Sequence, residues 1–282
     1  MEITIKDKNY PELLKKIKNP PEKLYVRGNL CSEEKYPLAV VGTRRVSNYG
    51  AQITTSLVKD LVGQGFTIIS GLALGVDSLA HRAALSAGGK TIAVLGSGLD
   101  IIYPSSHKGL AENIVQAGGA LVSEYPAGTK PFKGNFPARN RIISGLSLGV
   151  LVTEAPEKSG ALITAGCGLD QGRELFAVPG SVYNQASVGT NWLIKMGAKP
   201  VMGSQDVLDA FGLELEVETK KEIKPGSPEE ALLLKHLSHE PIHIDRLINL
   251  SKLSSHEVSG LLLTMELAGK VKNMGSGYYV LA

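Results

Sequence analysis

Seven short apolar runs recur between residues 37 and 202: PLAVVG, FTIISG, KTIAVLG, GALVSEY, GVLVTEA, ELFAVPG and KPVM. Each has the length of a strand and is apolar at successive positions, the pattern of a strand covered on both faces. Stretches with helical spacing lie between most of them, at 49–62, 76–87, 106–116 and 160–171. Alternation of this kind implies an α/β fold, a mostly parallel sheet with helices on both faces. Ahead of it, residues 1–36 read as a lead-in packing on the core, with a short amphipathic helix at 10–17 and a strand-like stretch at 24–27.

After Gly212 the rhythm stops. Residues 213–226 are charged, carry Pro and Gly, and read as a linker between a domain at 37–212 and a smaller one at 227–282. Ser227-Pro228-Glu229-Glu230 supplies an N-cap, a proline at the first helical position and a capping-box glutamate. Ser254 and Glu257 repeat the box ahead of Val258, Leu261, Leu262 and Met265, which share one helical face. The tail KVKNMGSGYYVLA reads as a hairpin. Short helices followed by a hairpin make a winged-helix-like pattern.

Charge singles out one segment. The net charge is only +3, yet residues 1–212 hold 22 of the 30 basic and 17 of the 27 acidic side chains. This excess favours a polyanionic partner. In KPFKGNFPARNRIISG (130–145), Lys130, Lys133, Arg139 and Arg141 fall among Phe132 and Phe136, and no acid occurs between Glu124 and Glu154. Single strands of nucleic acid offer phosphates and unstacked base faces, which cations and aromatic platforms bind. Pro137 can begin a helix, placing Arg139, Asn140 and Arg141 in its first turns, where cations oppose the helix dipole unless an anion is present. The plainer alternative is a solvated basic loop.

In a parallel sheet, ligands bind at the carboxyl ends of the strands. The loops there are Gly42-Thr43-Arg44-Arg45, Ser70 to Gly75 (with Gly71), Gly96-Ser97-Gly98 and Ser159-Gly160, preceded by Lys158. Glycines let backbone N–H groups approach an anion, and they are also simply what tight turns require. Arg44, two residues past a strand-ending glycine, can clamp a phosphate or bridge a neighbouring loop. Gly89-Lys90-Thr91 imitates a Walker A ending, but Ala84 replaces the first glycine and the segment precedes a strand. Gly96 to Ile101 lacks the third glycine of the dinucleotide fingerprint, so no nucleotide cofactor is expected.

These motifs resemble a known family. Val41 to Arg44, SGLALGVDSLAH (70–81), GSGLDIIYP (96–104), FPARNRIISGLS (136–147), KSGALIT (158–164) and the lead-in YPELL…PPEKLYVRGNL are similar to the DNA-processing protein A (DprA, or Smf) family, over roughly residues 10–211. The resemblance implies an extended Rossmann-like core that dimerises. It implies binding and protection of single-stranded DNA, and loading of the RecA recombinase during natural transformation, without catalysis. Carried over by motif, Arg44 and Lys133 are the leading DNA contacts. Phe136, Arg139, Asn140, Arg141, Lys158, Ser159 and Gly160 follow, with backbone contacts from Gly42, Thr43, Gly71, Gly75, Gly96, Ser97 and Gly98. Phe136 is either a base platform or a hinge packed inward. Trp192, Ile194 and Met196 stand as a dimer or RecA-facing surface, or else as core.

Two departures matter. The additional N-terminal helical domain of many members is not expected ahead of residue 1. The recognition-helix segment 254–268 carries Glu257 and Glu266 and no Lys or Arg, which suits neither phosphates nor base edges. Lys270 and Lys272 keep weak DNA binding open beside a protein-contact role.

The enzyme alternative is a Rossmann-like phosphoribohydrolase of the lysine decarboxylase-like group, whose Pro-Gly-Gly-x-Gly-Thr-x-x-Glu motif supplies a catalytic glutamate. Here Pro179-Gly180-Ser181 and Gly189-Thr190-Asn191 look like its separated halves, and Leu193 stands where the glutamate would fall. Glu124 and Glu154 lie near strand ends without obvious partners. His236, His239, His243 and His256 gather in the small domain, but Pro241 interrupts their spacing and no cysteine is near, so no metal is expected. His81 reads as a helix residue beneath the site. Without a membrane-length apolar run or a signal peptide, and with only Cys31 and Cys167 far apart, a reduced cytoplasmic setting is expected.

Overall fold

The structure, a computed structural model, describes residues 1–213, 225–238 and 240–281. Their chain divides into the units Met1–Glu216 and Val217–Ala282. The charged linker falls largely on residues 214–224, and His239 is a single further gap; both lie outside the described residues.

The first unit is built on one sheet. Its strands are β1 (Glu2–Thr4), β2 (Lys23–Gly28), β3 (Tyr36–Val41), β4 (Phe66–Ser70), β5 (Thr91–Leu95), β6 (Ala120–Ser123), β7 (Gly149–Val152), β8 (Glu174–Ala177) and β9 (Lys199–Pro200), in the spatial order β1-β2-β6-β5-β4-β3-β7-β8-β9. From β6 to β9 every pairing is parallel. The lead-in extends the sheet: β1 pairs with β2, and β2 with β6, both antiparallel.

The helices are α1 (Glu12–Lys15), α2 (Asn48–Gly63), α3 (Val76–Ser86), α4 (Lys108–Gln116), α5 (Asn135–Gly145), α6 (Gly160–Asp170), α7 (Val188–Lys195) and α8 (Ser204–Ala210). Successive strand residues point to opposite faces, and both faces are apolar. Leu38, Val40 and Ile68 pack with Leu57 and Leu61 of α2 and Val76 of α3. Ala39, Val41 and Ile69 pack with Leu14, Ile142 of α5 and Ala161 of α6. The extended α/β architecture is thus explained by strands with no polar face to give to water. Helix α5 begins at Asn135, two residues before the proline expected to open it.

Chain order runs outward from β3 in both directions, through β4, β5 and β6 on one side and β7, β8 and β9 on the other. The loops leaving β3 and β7 therefore diverge, and a crevice opens between them at the carboxyl ends of the strands.

In the second unit, α9 (Pro228–Leu234), α10 (Ile244–Ser251) and α11 (Ser255–Leu267) pack with a three-stranded sheet of β10 (Ile242–His243), β12 (Tyr278–Leu281) and β11 (Val271–Gly275), in the order β10-β12-β11. Its core is Leu233, Leu247, Val258, Leu262, Met265 and Val271. Both capping interactions form, Ser227 accepting from Glu230 N and Ser254 from Glu257 N. Lys270 is bound to Glu230 at 2.5 Å, which leaves the hairpin less free charge than its sequence suggests. The outer side of α11 presents Leu263 and Leu267. Among the described residues no helix is long and apolar enough to cross a membrane, and no three His, Cys, Asp or Glu side chains gather to hold a metal ion.

Candidate nucleic-acid interface

A groove of about 770 Å³ occupies the crevice. Its walls come from the β3 loop (Gly42, Thr43, Arg44, Arg45), the start of α5 (Lys133, Phe136, Arg139, Asn140) and the start of α6 (Lys158, Ser159, Gly160). Arg44, Arg45, Lys133 and Lys158 are exposed. None of the four forms an ion pair among the described residues, whereas Lys23, Arg27, Lys90, Arg141, Lys199 and Lys270 each bind a carboxylate. Among the described residues, no carboxylate neutralises these four charges facing the groove.

The β3 loop is held from below. Glu154, fully buried at the end of β7, accepts from the Ser47 backbone N at 2.8 Å and from Ser47 Oγ at 2.5 Å. Its carbonyl accepts from Thr43 N at 2.7 Å. Ser47 in turn caps α2, accepting from Gly50 N. The loop carrying Arg44 is thus closed at both ends by one glutamate, and the two acids that lacked partners in the sequence have them: Glu124 is bidentate with Arg141.

Phe136 sits between two neighbours. The Arg44 guanidinium lies 5.8 Å from its ring centroid, within cation–π range, and the Tyr103 ring lies 5.7 Å away. A side chain on Gly96 would meet Phe136 at 2.9 Å, so the glycine makes room for the ring. Phe136 therefore combines the two readings left open for it, half-buried and packed while still lining the groove.

Arg139 and Arg141 part company along α5. Arg139 is buried (5% exposed) and donates through Nη1 to the carbonyls of Gly71 and Val94. Burial pushes its guanidinium down to about 10, opposed by Asp77, so it stays charged at neutral pH. Asp77, itself raised by burial and held in check by Arg139, accepts from Gly71 N and Ala73 N. Arg141 points away from the groove, to Glu124 and the carbonyl of Asn19. Asn140 faces inward, donating to Gly160 O and tying α5 to α6.

The glycine turns do less than expected. Gly71 N is bonded to Asp77, Thr43 N to Glu154 O and Gly98 N to Thr129 O, so these N–H groups already have protein acceptors. Gly75, at φ 76°, packs against the Thr43–Arg44 backbone. The turn at Gly96, Ser97 and Gly98 lies behind Phe136, with Ser97 Oγ donating to Ile101 O. By contrast α6 opens onto the groove: Ser159 caps it by accepting from Ala161 N, and Gly160 is exposed. Its positive dipole end adds to Lys158.

Trp192, Ile194 and Met196 do not form one surface. Trp192 and Met196 are exposed, while Ile194 packs against the core, as residues two apart on a helix must diverge. Trp192 shares with Ile163 a second groove between α6 and α7. Leu193 is buried, and Asn191 clamps Gly180 through both its amide groups, so the two motif halves meet without a carboxylate. Arg45, Tyr103, Gln185 and Ala186 also line the main groove and were not singled out from the sequence.

Comparison with known proteins finds relatives of both units. The family model for DNA recombination-mediator protein A matches residues 2–212, and that for the DprA winged helix domain matches 217–277. Protein Smf of Escherichia coli is 43% identical over 277 residues, covering 95% of this chain and 74% of the relative. The crystal structure of DNA processing protein A from Streptococcus pneumoniae aligns with a TM-score of 0.70 at 44% identity, over 76% of this chain and 75% of that one. The Helicobacter pylori protein, whose structure was determined to describe its single-stranded DNA binding mode, aligns at 0.65 with 34% identity, over 74% of this chain and 95% of that one.

Proposed function

The chain belongs to the DNA recombination-mediator protein A family, and on that premise we propose that the groove between the β3 and β7 loops binds single-stranded DNA. The observation that carries this reading is the set of four cations, Arg44, Arg45, Lys133 and Lys158, that form no ion pair among the described residues, around a groove whose lining carboxylate, Asp77, is engaged by Gly71 N and Ala73 N. Phosphates lie against Arg44 and Lys133 and at the start of α6, and an unstacked base rests near Phe136 and Tyr103. The H. pylori relative's binding of single-stranded DNA supports the ligand.

The finer reading is a recombination mediator of the cytoplasm that protects incoming single strands and loads RecA during natural transformation. In this reading the protein is a homodimer, with the exposed Trp192 and Met196 on the self-association or RecA-facing side. It performs no catalytic turnover: Asp77 and Glu154 are held by backbone and hydroxyl donors, and Leu193 stands in place of a phosphoribohydrolase glutamate.

Titration with labelled single- and double-stranded oligonucleotides tests the central part. Preference for the single strand, weakened by Arg44→Ala and Lys133→Ala, is expected; equal binding of both substituted proteins and the parent would place the site elsewhere. Release of free base from nucleoside monophosphates would establish the enzyme reading, and none is expected. Faster onset of RecA ATP hydrolysis on a strand precoated with single-strand-binding protein would support loading.

A further inference from the structure

The most exposed aromatic side chain among the described residues is Tyr183, at 94%, beside Val182 at 78%. Large apolar groups presented so fully contribute nothing to folding, yet the loop that carries them is firmly held. Tyr49 Oη donates to Pro179 O at 2.8 Å, and its ring flanks Gly180. Asn191 brackets Gly180 from the other side, donating to its carbonyl at 3.0 Å and accepting from its N. Beyond Tyr183, Asn184 N donates to Ser181 O, Ser187 N to Asn184 O, and Asn184 Oδ1 accepts from Ala186 N at 3.0 Å. The turn is therefore pinned by its own backbone while the tyrosine ring projects from it.

The loop then enters the binding groove. Gln185 and Ala186, two and three residues after Tyr183, line it together with Arg44 and Arg45. Tyr49, itself half exposed, stands at the start of α2 on the same bank. Phe136 and Tyr103 lie on the α5 side.

We propose that Tyr183 is a second base-stacking station, so that a bound single strand is gripped through its bases at Phe136–Tyr103 and again at Tyr183, with its phosphates on the cations between. The inference rests on the reading of the groove as a single-strand site. Stacking on an aromatic ring needs a π-face and no particular base, so this station is tolerant of sequence. It is also unavailable to a duplex, whose bases are stacked on each other. A strand of a few nucleotides seated at Phe136 and Tyr103 fills the first station without needing the second.

Fluorescence-anisotropy titrations of the full chain with thymidine oligomers of about 5 and about 30 nucleotides test the idea. Tyr183→Ala should weaken binding of the longer oligomer roughly 5- to 150-fold and leave the shorter one unchanged, the range set by one base–aromatic stack. Tyr183→Phe should bind as the parent does, because the ring and not the hydroxyl makes the contact. An exposed side chain is not needed for folding, so thermal unfolding of both variants should match the parent. Parent-like binding of the long oligomer by Tyr183→Ala, or a loss shared by Tyr183→Phe, overturns the station while leaving the groove reading intact. Failure of the parent itself to bind either oligomer overturns both.

Discussion

Arg139 Nη1 donates to the carbonyl of Gly71 at 2.7 Å, and a side chain on Gly71 would meet that nitrogen at 2.5 Å. Arg139, one of the two arginines of the basic segment expected among the DNA contacts, is thus a strut between α5 and the ends of β4 and β5. Removing it leaves two carbonyls unpaired and Asp77 buried without its nearby cation. Arg139→Ala should cost at least about 3 kcal/mol of stability, read by denaturant unfolding. Arg139→Lys should recover only part of this, since an ammonium replaces Nη1 at the two carbonyls but not Nε, which donates to Asn140 Oδ1. A fully stable Arg139→Ala with weakened DNA binding would mean that the guanidinium reaches the ligand after all.

Glu154 offers a contrasting case, a residue that acts on the ligand only through another. It holds Ser47 and, through its carbonyl, Thr43, so it sets where Arg44 stands. Glu154→Ala should lower stability by about 1–3 kcal/mol and weaken DNA binding several-fold. Because no phosphate contact is removed, the dependence of binding on salt should keep its slope. A reduced slope would show that the loop had lost Arg44 as a contact altogether.

His81 provides a pH prediction. Its Nδ1 lies 2.7 Å from Thr91 Oγ1, whose own proton goes to Ile68 O, so Nδ1 carries the hydrogen and the buried Nε2 is bare. Burial, aided by His107 and Arg139, lowers its pKa to about 3. The unfolded chain therefore binds this proton below about pH 6.5 while the native protein does not, and stability falls as pH drops through that window. Asp77, raised by burial, acts in the opposite sense, because its native form binds a proton more readily than the unfolded one. Comparison with a His81→Gln variant isolates the histidine. Its stability deficit relative to the parent should shrink by about 2 kcal/mol between about pH 7 and pH 5. An unchanged deficit would remove His81 as the cause.

Trp192 and Ile163 leave an apolar groove between α6 and α7 open. On the proposed homodimer reading, Trp192→Glu should shift sedimentation toward the monomer, since a buried charge at an interface is strongly unfavourable. Ile194, half-buried against the core, should instead affect stability when truncated to alanine, by about 1–2 kcal/mol, less than a fully buried isoleucine. Sedimentation unaltered by Trp192→Glu would move the interface to another face.

Much of the fold was legible because strands buried on both sides cannot hide their composition: PLAVVG and FTIISG have no polar face to confuse with a helix. The antiparallel edge was harder. In β2, Leu24 and Val26 are buried while Lys23, Arg27 and Gly28 are exposed, and half-apolar strands read weakly beside a lead-in helix. Residue type in the basic segment was also visible, but direction was not. Arg139 and Arg141 differ by two positions, about 200° around α5, and only the packed helix decides which one meets the sheet and which meets Glu124. The pairing of Ser47 with Glu154 spans 107 residues, and no local pattern announces it. Tyr183 was invisible for a different reason: exposure is a property of what fails to pack nearby.

In the proposed binding mode, Arg44 and Lys133 hold phosphates of a single strand. The direct measurement is the salt dependence of binding by the parent, each single variant and Arg44→Ala/Lys133→Ala together. A single strand contacting Z phosphates loses affinity with a log–log slope of roughly −0.7Z. Each substitution should flatten that slope by about 0.7, and the pair by about 1.4. A double variant with the parent's slope and affinity would rule out both phosphate contacts.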